Sequence, residues 1–264
     1  MASPSAYIRD IMCPDVISVR ADQDREFVAQ ELAKYDFLAM PVVDEQNRLV
    51  GIVTFDDVAD VLEAEATEDF HRTAAVAPLA RGYKQSNVWT LYHRRIGWLI
   101  ALVFVNLVSS GVIAAYEEIL VANIALAFFL PLLIDSGGNT GSQAATLIVR
   151  ALATDEVRLK HLGKVVGKEL LVGLSLGLTM ALASFVLGLF RGGGIEVGLI
   201  VGLSMFCIVI VTNLIGVLLP FLLTSLRFDP AVASSPLITT VADALGLLVY
   251  FTIATWLIGL TGRL

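Results

Sequence analysis

The chain has 264 residues, 56% hydrophobic and 16% charged, with a mean hydropathy of +0.78 and a net charge of −7. An ordinary soluble domain carries about 25% charged residues, so disorder, collagen and a disulfide scaffold are excluded and a wholly soluble protein is disfavoured. Residues 1–95 hold 26 of the 43 charged side chains, 16 acidic against 10 basic, which reads as an acidic head on a membrane body with nothing that invites nucleic acid.

The first thirty residues are charged and carry no apolar run, so no secretory signal peptide is read there and the head is expected in the cytoplasm. Cys13 and Cys207 fall in the two different parts and form neither a disulfide pattern nor a thiolate metal site. Residues 16–19 read as a short strand, 24–35 as a helix and 39–43 as a strand. The turn 44–47, a strand over 49–54 and a helix over 55–66 follow. Such a unit, about 55 residues long, leaves one sheet face open. No internal repeat exists to cover it, so the expected cover is a second subunit.

The run MPVVDEQNRLVGIVTFDDV, from Met40 to Val58, resembles a CBS motif. In that family a Thr and an Asp three residues on often meet the ribose of an adenine nucleotide. The resemblance therefore implies Thr54 and Asp57 as nucleotide contacts, with ATP or AMP as the ligand, although many CBS units bind nothing. Acidic side chains crowd this stretch: Asp24, Glu26, Asp36, Asp56, Asp57, Asp60, Glu63, Glu65, Glu68 and Asp69. They are either a solvated face or carboxylates that divalent cations clip together.

Residues 1–70 are thus the head and 71–95 a connector, with Pro78 and Gly82 and then the charged amphipathic run SNVWTLYHRRIGW. The connector is expected to form a helix along the inner membrane surface. His71 and His93 read as surface residues. Residues 96–264 form the membrane body. A ~30 Å hydrocarbon core needs roughly 20 mainly apolar residues per helix, and five spans are read: 96–115, 119–149, 170–190, 197–226 and 236–261. Trp98, Tyr116 and Trp256 suit interfacial positions near span ends. Glu117 and Glu118, in the turn after the first span, either concentrate cations at an entrance or are a solvated turn.

The second span is long and holds Pro131, Asp135, Gly137 and Gly138, a composition that predicts a kinked helix lining a wet cavity. Ser136, Asn139, Thr140, Ser142, Gln143 and Thr146 add more polar groups than a lipid-facing helix carries. Gly138, Ser142 and Thr146 repeat every four residues. In the fifth span Asp243 lies seven residues beyond Pro236, roughly 10 Å along a helix. An acid at that depth is a functional candidate by default; the bland alternative is a neutral Asp bonded to a neighbouring helix. Thr239 and Ser235 share its face. Two oxygen-lined stripes suit a hard cation such as Mg²⁺ or Ca²⁺, and the absence of His from the spans argues against zinc or copper.

Eight cations (Arg94, Arg95, Arg150, Arg158, Lys160, Lys164, Lys168 and Arg227) fall on one side of the membrane if the N-terminus is inside, against Arg191 and Arg263 on the other. The positive-inside rule then predicts a multi-pass cell (inner) membrane protein with its N-terminus in the cytoplasm and its C-terminus outside.

The head, AFFLPLLIDSGGNTGSQAATLIVRAL in the second span and DPAVASSPLITTVADALG entering the fifth together resemble the MgtE family of magnesium channels over nearly the whole chain. The resemblance implies a homodimer with one central pore, lined by the second and fifth spans of both copies. Asp243 matches the pore acid, and Gly138, Ser142, Thr146, Ser235 and Thr239 match pore-lining positions, with Ser142 and Ser235 standing where Asn is common. It also implies regulatory Mg²⁺ held by Asp24, Glu26, the Ala33 backbone, Asp36, Asp57, Asp60, Glu65, Glu68 and Asp69, closing the pore when cytosolic Mg²⁺ is high. The family's α-helical N-terminal domain and first CBS unit have no counterpart in this sequence. The resemblance then implies either a truncated piece or a natural short form with weaker or altered gating.

The expected fold class is an α-helical polytopic membrane protein, five transmembrane helices per subunit, with a small α/β CBS head. The expected function is passive Mg²⁺ uptake. The rivals are a proton- or sodium-coupled carrier with Asp243 as the proton site, against which the absence of inverted repeats counts, and a nucleotide-sensing membrane protein. No nucleophile–base constellation suggests an enzyme.

Overall fold

The structure, a computed structural model, describes residues 7, 12, 15–79, 82–191 and 194–260, and the chain divides into two units, Met1–Glu68 and Asp69–Leu264. In the first, β1 (Val19–Arg20) pairs parallel with β2 (Ala39–Val43), which pairs antiparallel with β3 (Leu49–Thr54). Helix α1 (Arg25–Lys34) starts at Asp24, whose carboxylate accepts the Glu26 N–H at 2.8 Å. It stops where Asp36 turns left-handed, φ 52°, and the Phe37 N–H returns to the Leu32 carbonyl. Asp44 closes the β2–β3 hairpin by accepting the Gln46 and Arg48 N–H groups, each at 2.9 Å, with Asn47 at φ 57°. The Arg48 N–H above all holds the Asp44 carboxyl below its ordinary range.

Val19, Val28, Ala29, Leu32, Met40 and Val58 form the head's core. Helix α2 (Phe55–Thr73) runs seven residues beyond the predicted 55–66, because no Gly or Pro interrupts it and Asp56 and Asp57 begin it while His71 and Arg72 end it, as the helix dipole favours. Leu49, Val50 and Ile52 of β3 stay exposed.

The second unit holds α3 (Val88–Ala115), α4 (Glu117–Ala122), a 3-10 turn (Ile124–Phe129), α5 (Leu130–Ala153), α6 (Leu162–Arg191), α7 (Ile195–Ser225) and α8 (Ser235–Leu260). Five of its helical segments are long and apolar enough to cross a membrane. Three boundaries differ from the sequence reading. Residues 71–95 do not make a helix of their own: α2 ends at Thr73, and Asn87, accepting the Thr90 N–H at 2.8 Å, starts a helix that runs unbroken into the first span. The second span begins after Asn123 rather than at 119, since the Asn123 side chain accepts the Ala125 N–H at 3.2 Å and opens the 3-10 turn. Finally, α6 starts at Leu162, eight residues ahead of 170, taking Lys164, Lys168 and Glu169 into its first turns.

Pro131 falls in the first turn of α5, where its missing N–H costs nothing. The Gly137–Gly138 pair lies inside continuous helix, and the irregular turn precedes Pro131.

Helix α7 is central and packs on α5, α6 and α8. Small residues let backbones meet, as membrane helices require: a Cβ on Gly188 of α6 would lie 2.6 Å from the Gly198 Cα of α7. The main core joins Leu126, Phe129 and Leu133 to Met205, Ile208 and Val209 and to Leu247 and Phe251. The buried Tyr250 hydroxyl donates to the Leu126 carbonyl at 2.9 Å, anchoring α8 to the 3-10 turn. Tyr250→Phe removes that bond and is expected to cost about 1 kcal/mol, seen as a midpoint about 3 °C lower in thermal unfolding of the detergent-solubilised chain.

Candidate functional site

The two polar stripes come together because α5 and α8 approach closely. A Cβ on Gly138 would stand 3.1 Å from Thr239 Cγ2 and 3.3 Å from Thr239 Cβ, so glycine lets the two helices cross this closely without displacing Thr239. Gly138 is therefore buried and supplies proximity rather than a ligand atom. One turn on, Ser235 Oγ donates to Ser142 Oγ at 3.1 Å and joins the stripes. Along α5, Asp135, Asn139 and Thr146 are exposed and Ser142 half-buried; along α8, Ser235 is exposed and Thr239 and Asp243 half-buried.

The hydroxyls are oriented by the helices that carry them. Thr239 Oγ1 donates to the Pro236 carbonyl at 3.0 Å and Thr146 Oγ1 to the Ser142 carbonyl at 2.8 Å. With the proton committed to the backbone, each oxygen presents lone pairs outward. Asn139 Nδ2 donates to Asp135 Oδ2 at 3.1 Å. Asp243 feels the like charge of Asp135. Among the described residues no Lys or Arg forms an ion pair with either carboxylate. Chemically this is an acceptor-rich surface with two unneutralised acids, matched to a cation wearing its water shell.

Several of the head residues nominated as regulatory ligands already have local partners. Asp24 caps α1, Glu26 accepts Gln30 Nε2 at 3.0 Å, the Ala33 carbonyl accepts the Asp36 N–H at 3.2 Å, and Glu65 pairs with Arg25 at 2.7 Å. Asp57, Asp60, Glu65 and Glu68 follow one another down one side of α2; Asp69 lies on the same helix. Among the described residues, no three His, Cys, Asp or Glu side chains of a single chain converge to hold a metal ion. Thr54 Oγ1 donates to Asp57 Oδ2 at 3.0 Å, and Asp57 lines a cavity of about 280 Å³ with Arg20, Arg25, Val53 and Val61; Thr54 is not in its wall.

Two polar links escaped the sequence reading. Asn213, 3% exposed in the middle of α7, donates to the Glu169 carbonyl at 2.9 Å and its carboxylate at 3.2 Å, pinning α6 to α7. A lone Asn in an apolar span was the available signal. Arg72 pairs with Asp229, which also caps the turn Pro230–Val232 by accepting the Ala231 N–H at 2.8 Å. No sequence signal could join positions so far apart.

The MgtE family model, described as a divalent cation transporter, matches residues 130–253, and the CBS domain model matches residues 8–64. The chain is 47% identical over 260 residues to the magnesium transporter MgtE of Thermus thermophilus, covering 98% of this chain and 57% of that protein. It is 38% identical to the magnesium transporter MgtE of Bacillus subtilis, over 97% of this chain and 56% of the relative. It is also 38% identical to that of Enterococcus faecalis, over 94% and 54%. The chain thus spans about half the length of the curated relatives it matches.

Proposed function

This chain belongs to the MgtE family, and we propose that two copies form a passive Mg²⁺ channel with the α5–α8 surface as its wall. The observation that carries the reading is the union of the two oxygen stripes at Ser142–Ser235 above an unpaired Asp243. Mg²⁺ gives up water reluctantly, so Asp243 attracts it through water while the outward lone pairs of Ser142, Thr146, Ser235 and Thr239 accept from its hydration shell. The membrane potential supplies about 2.3 kcal/mol per charge per 100 mV, hence about 4.6 for a divalent ion. Relatives named as magnesium transporters support the choice of ion.

The homodimer is supported by two uncovered surfaces: α3 buries none of its residues within the subunit, and β3 leaves Leu49, Val50 and Ile52 bare. The charge bias supports a head in the cytoplasm and a C-terminus outside. Cytosolic Mg²⁺ gates the channel by bridging head carboxylates of different copies, the acidic side chains of α2 among them. The Arg72–Asp229 pair ties the end of α2 to the turn that leads into α8. At low Mg²⁺ the acidic faces repel and splay, drawing the connecting segments away from the pore mouth.

The test is voltage-clamped flux through the purified chain in planar bilayers. The expected result is Mg²⁺ current that follows the electrochemical gradient and falls as Mg²⁺ on the head side rises through the millimolar range. Current indifferent to head-side Mg²⁺ would remove the gating, leaving the channel. The neighbouring Asp135 and Asp243 carboxylates also suit a proton-coupled carrier. That reading requires flux to follow an imposed pH gradient at fixed voltage. The Asp57-lined cavity would take ATP if the nucleotide reading held, measurable as saturable binding lost in Asp57→Ala.

A further inference from the structure

The connector, the start of α3 and the loop before α8 line a second cavity, of about 310 Å³, whose wall includes Ser234, the residue just before Ser235 of the α8 stripe. It is held in shape by the Ala77 N–H donating to the Arg94 carbonyl at 3.0 Å. Its polar lining is Arg72, His93, Arg94, Trp98 and Ser234; the rest is apolar, including Val76, Pro78 and Val232. A volume of this size lies at the lower end of small-ligand sites.

Two atoms in the wall are anomalous. Trp98 Nε1 and Ser234 Oγ are buried with no hydrogen-bond partner among the described residues, and Ser234 is only 1% exposed. Buried polar groups ordinarily find partners, so an orphan pair in one cavity wall asks for a ligand. The indole N–H can only donate and the hydroxyl has a proton to give. The missing partner therefore brings acceptors. Arg94 adds a cation, and the lining contains no carboxylate. Asp229, just outside it, is occupied by Arg72 and the Ala231 N–H. An acceptor-rich anion with charge spread over several oxygens is a phosphate.

The position narrows the source. Trp98 stands one turn past Arg94 and Arg95, where α3 becomes apolar, at the level favoured by interfacial Trp and Arg. Phospholipid phosphates occupy that level. The apolar walls would shelter a glycerol and the first acyl carbons, which a free phosphate does not carry.

We propose that this cavity is a phosphate-recognition pocket for a membrane phospholipid, with Trp98 Nε1, Ser234 Oγ and Arg94 receiving the phosphodiester oxygens. It stands independently of the channel reading, needing only a membrane-embedded chain.

The full chain in detergent is titrated with dioleoylphosphatidylglycerol, with dioleoylglycerol, which lacks the phosphate, and with inorganic phosphate, and bound species are counted by native mass spectrometry. The phospholipid binds saturably and the diacylglycerol does not. Trp98→Phe, Arg94→Gln and Ser234→Ala each weaken lipid binding by about fivefold or more, the loss of one good hydrogen bond. Arg94→Lys keeps most of it. Equal retention of phospholipid and diacylglycerol, or unchanged affinity in the Ser234→Ala and Arg94→Gln variants with an unaltered melting curve, overturns the proposal. Saturable inorganic phosphate binding without lipid binding also overturns the lipid assignment, leaving a soluble phosphate as the ligand. Should Trp98→Phe fail to fold, Ser234→Ala and the Arg94 pair decide the matter.

Discussion

Asp243→Ala is expected to abolish Mg²⁺ flux in proteoliposomes loaded with a Mg²⁺ indicator, and Asp243→Asn to leave at most a trace. The size of the effect follows from charge. At an effective dielectric constant of 20, a divalent ion ~5 Å from a carboxylate, with one water between, is attracted by roughly 7 kcal/mol. Two copies of the chain would double the loss. Neither Asn nor the surrounding hydroxyls replace it, because the oxygens of Thr239 and Ser235 carry only dipoles. A reduction of at least two orders of magnitude is the minimum expected when several kcal/mol of attraction vanish. Normal flux in a folded, reconstituted mutant would remove Asp243 from the pathway.

Gly216→Leu is the most destabilising single change expected away from the ion pathway. A Cβ at Gly216 of α7 would collide with the Gly141 carbonyl oxygen of α5 and sit 3.0 Å from Ala144 Cβ. The obstacle is backbone, so no rotamer change relieves it. Overpacking of this kind costs about 1–3 kcal/mol for added methylenes and more when helices must separate. The displacement would reach the proposed ion pathway too, since Gly138 and Ser142 flank Gly141 on the same helix. Thermal unfolding in detergent should show a midpoint lower by several degrees even for Gly216→Ala. Gly163→Ala, where an added Cβ meets nothing within 4 Å, is the control and leaves the midpoint unchanged or raised. Equal melting of the Gly216 and Gly163 variants would mean that α5 and α7 do not depend on this contact.

Most of the head was legible, because alternation, turn residues and caps act locally: Asp24, Asp44 and Asn47 sit where their chemistry predicts, although the first strand, read over 16–19, is Val19–Arg20 and α2 runs on to Thr73. The five spans were legible from length and apolarity. What escaped was set by tertiary contact. Gly137 and Gly138 looked like helix breakers, yet they serve as contact surfaces for Ile208 and Thr239 inside unbroken helix. The start of α6 was placed late because Lys164, Lys168 and Glu169 looked like loop, although all three side chains favour helix. For the candidate pathway, spacing named Asp243, Thr239, Ser235, Ser142 and Thr146, but the Ser142–Ser235 bond needed coordinates. The orphaned Trp98 and Ser234 atoms carry no sequence signal at all, because an unmet partner is visible only when the neighbours are known.

The bareness of α3 bears on biosynthesis. Its principal neighbour within the subunit, α8, ends 145 residues after α3 does. At ~5–20 residues per second the ribosome needs on the order of ten seconds to deliver it. During that interval α3 must tolerate lipid on every side, and its stretch from Trp98 onward, apolar but for Asn106, Ser109 and Ser110 and free of charge, is suited to wait alone. The polar α5 is the opposite case: it emerges early, and its close partners α7 and α8 are both made later. It has reason to linger at the translocon until they arrive, so a ribosome stalled before α7 should yield a nascent chain with α3 inserted and α5 still open to the aqueous phase.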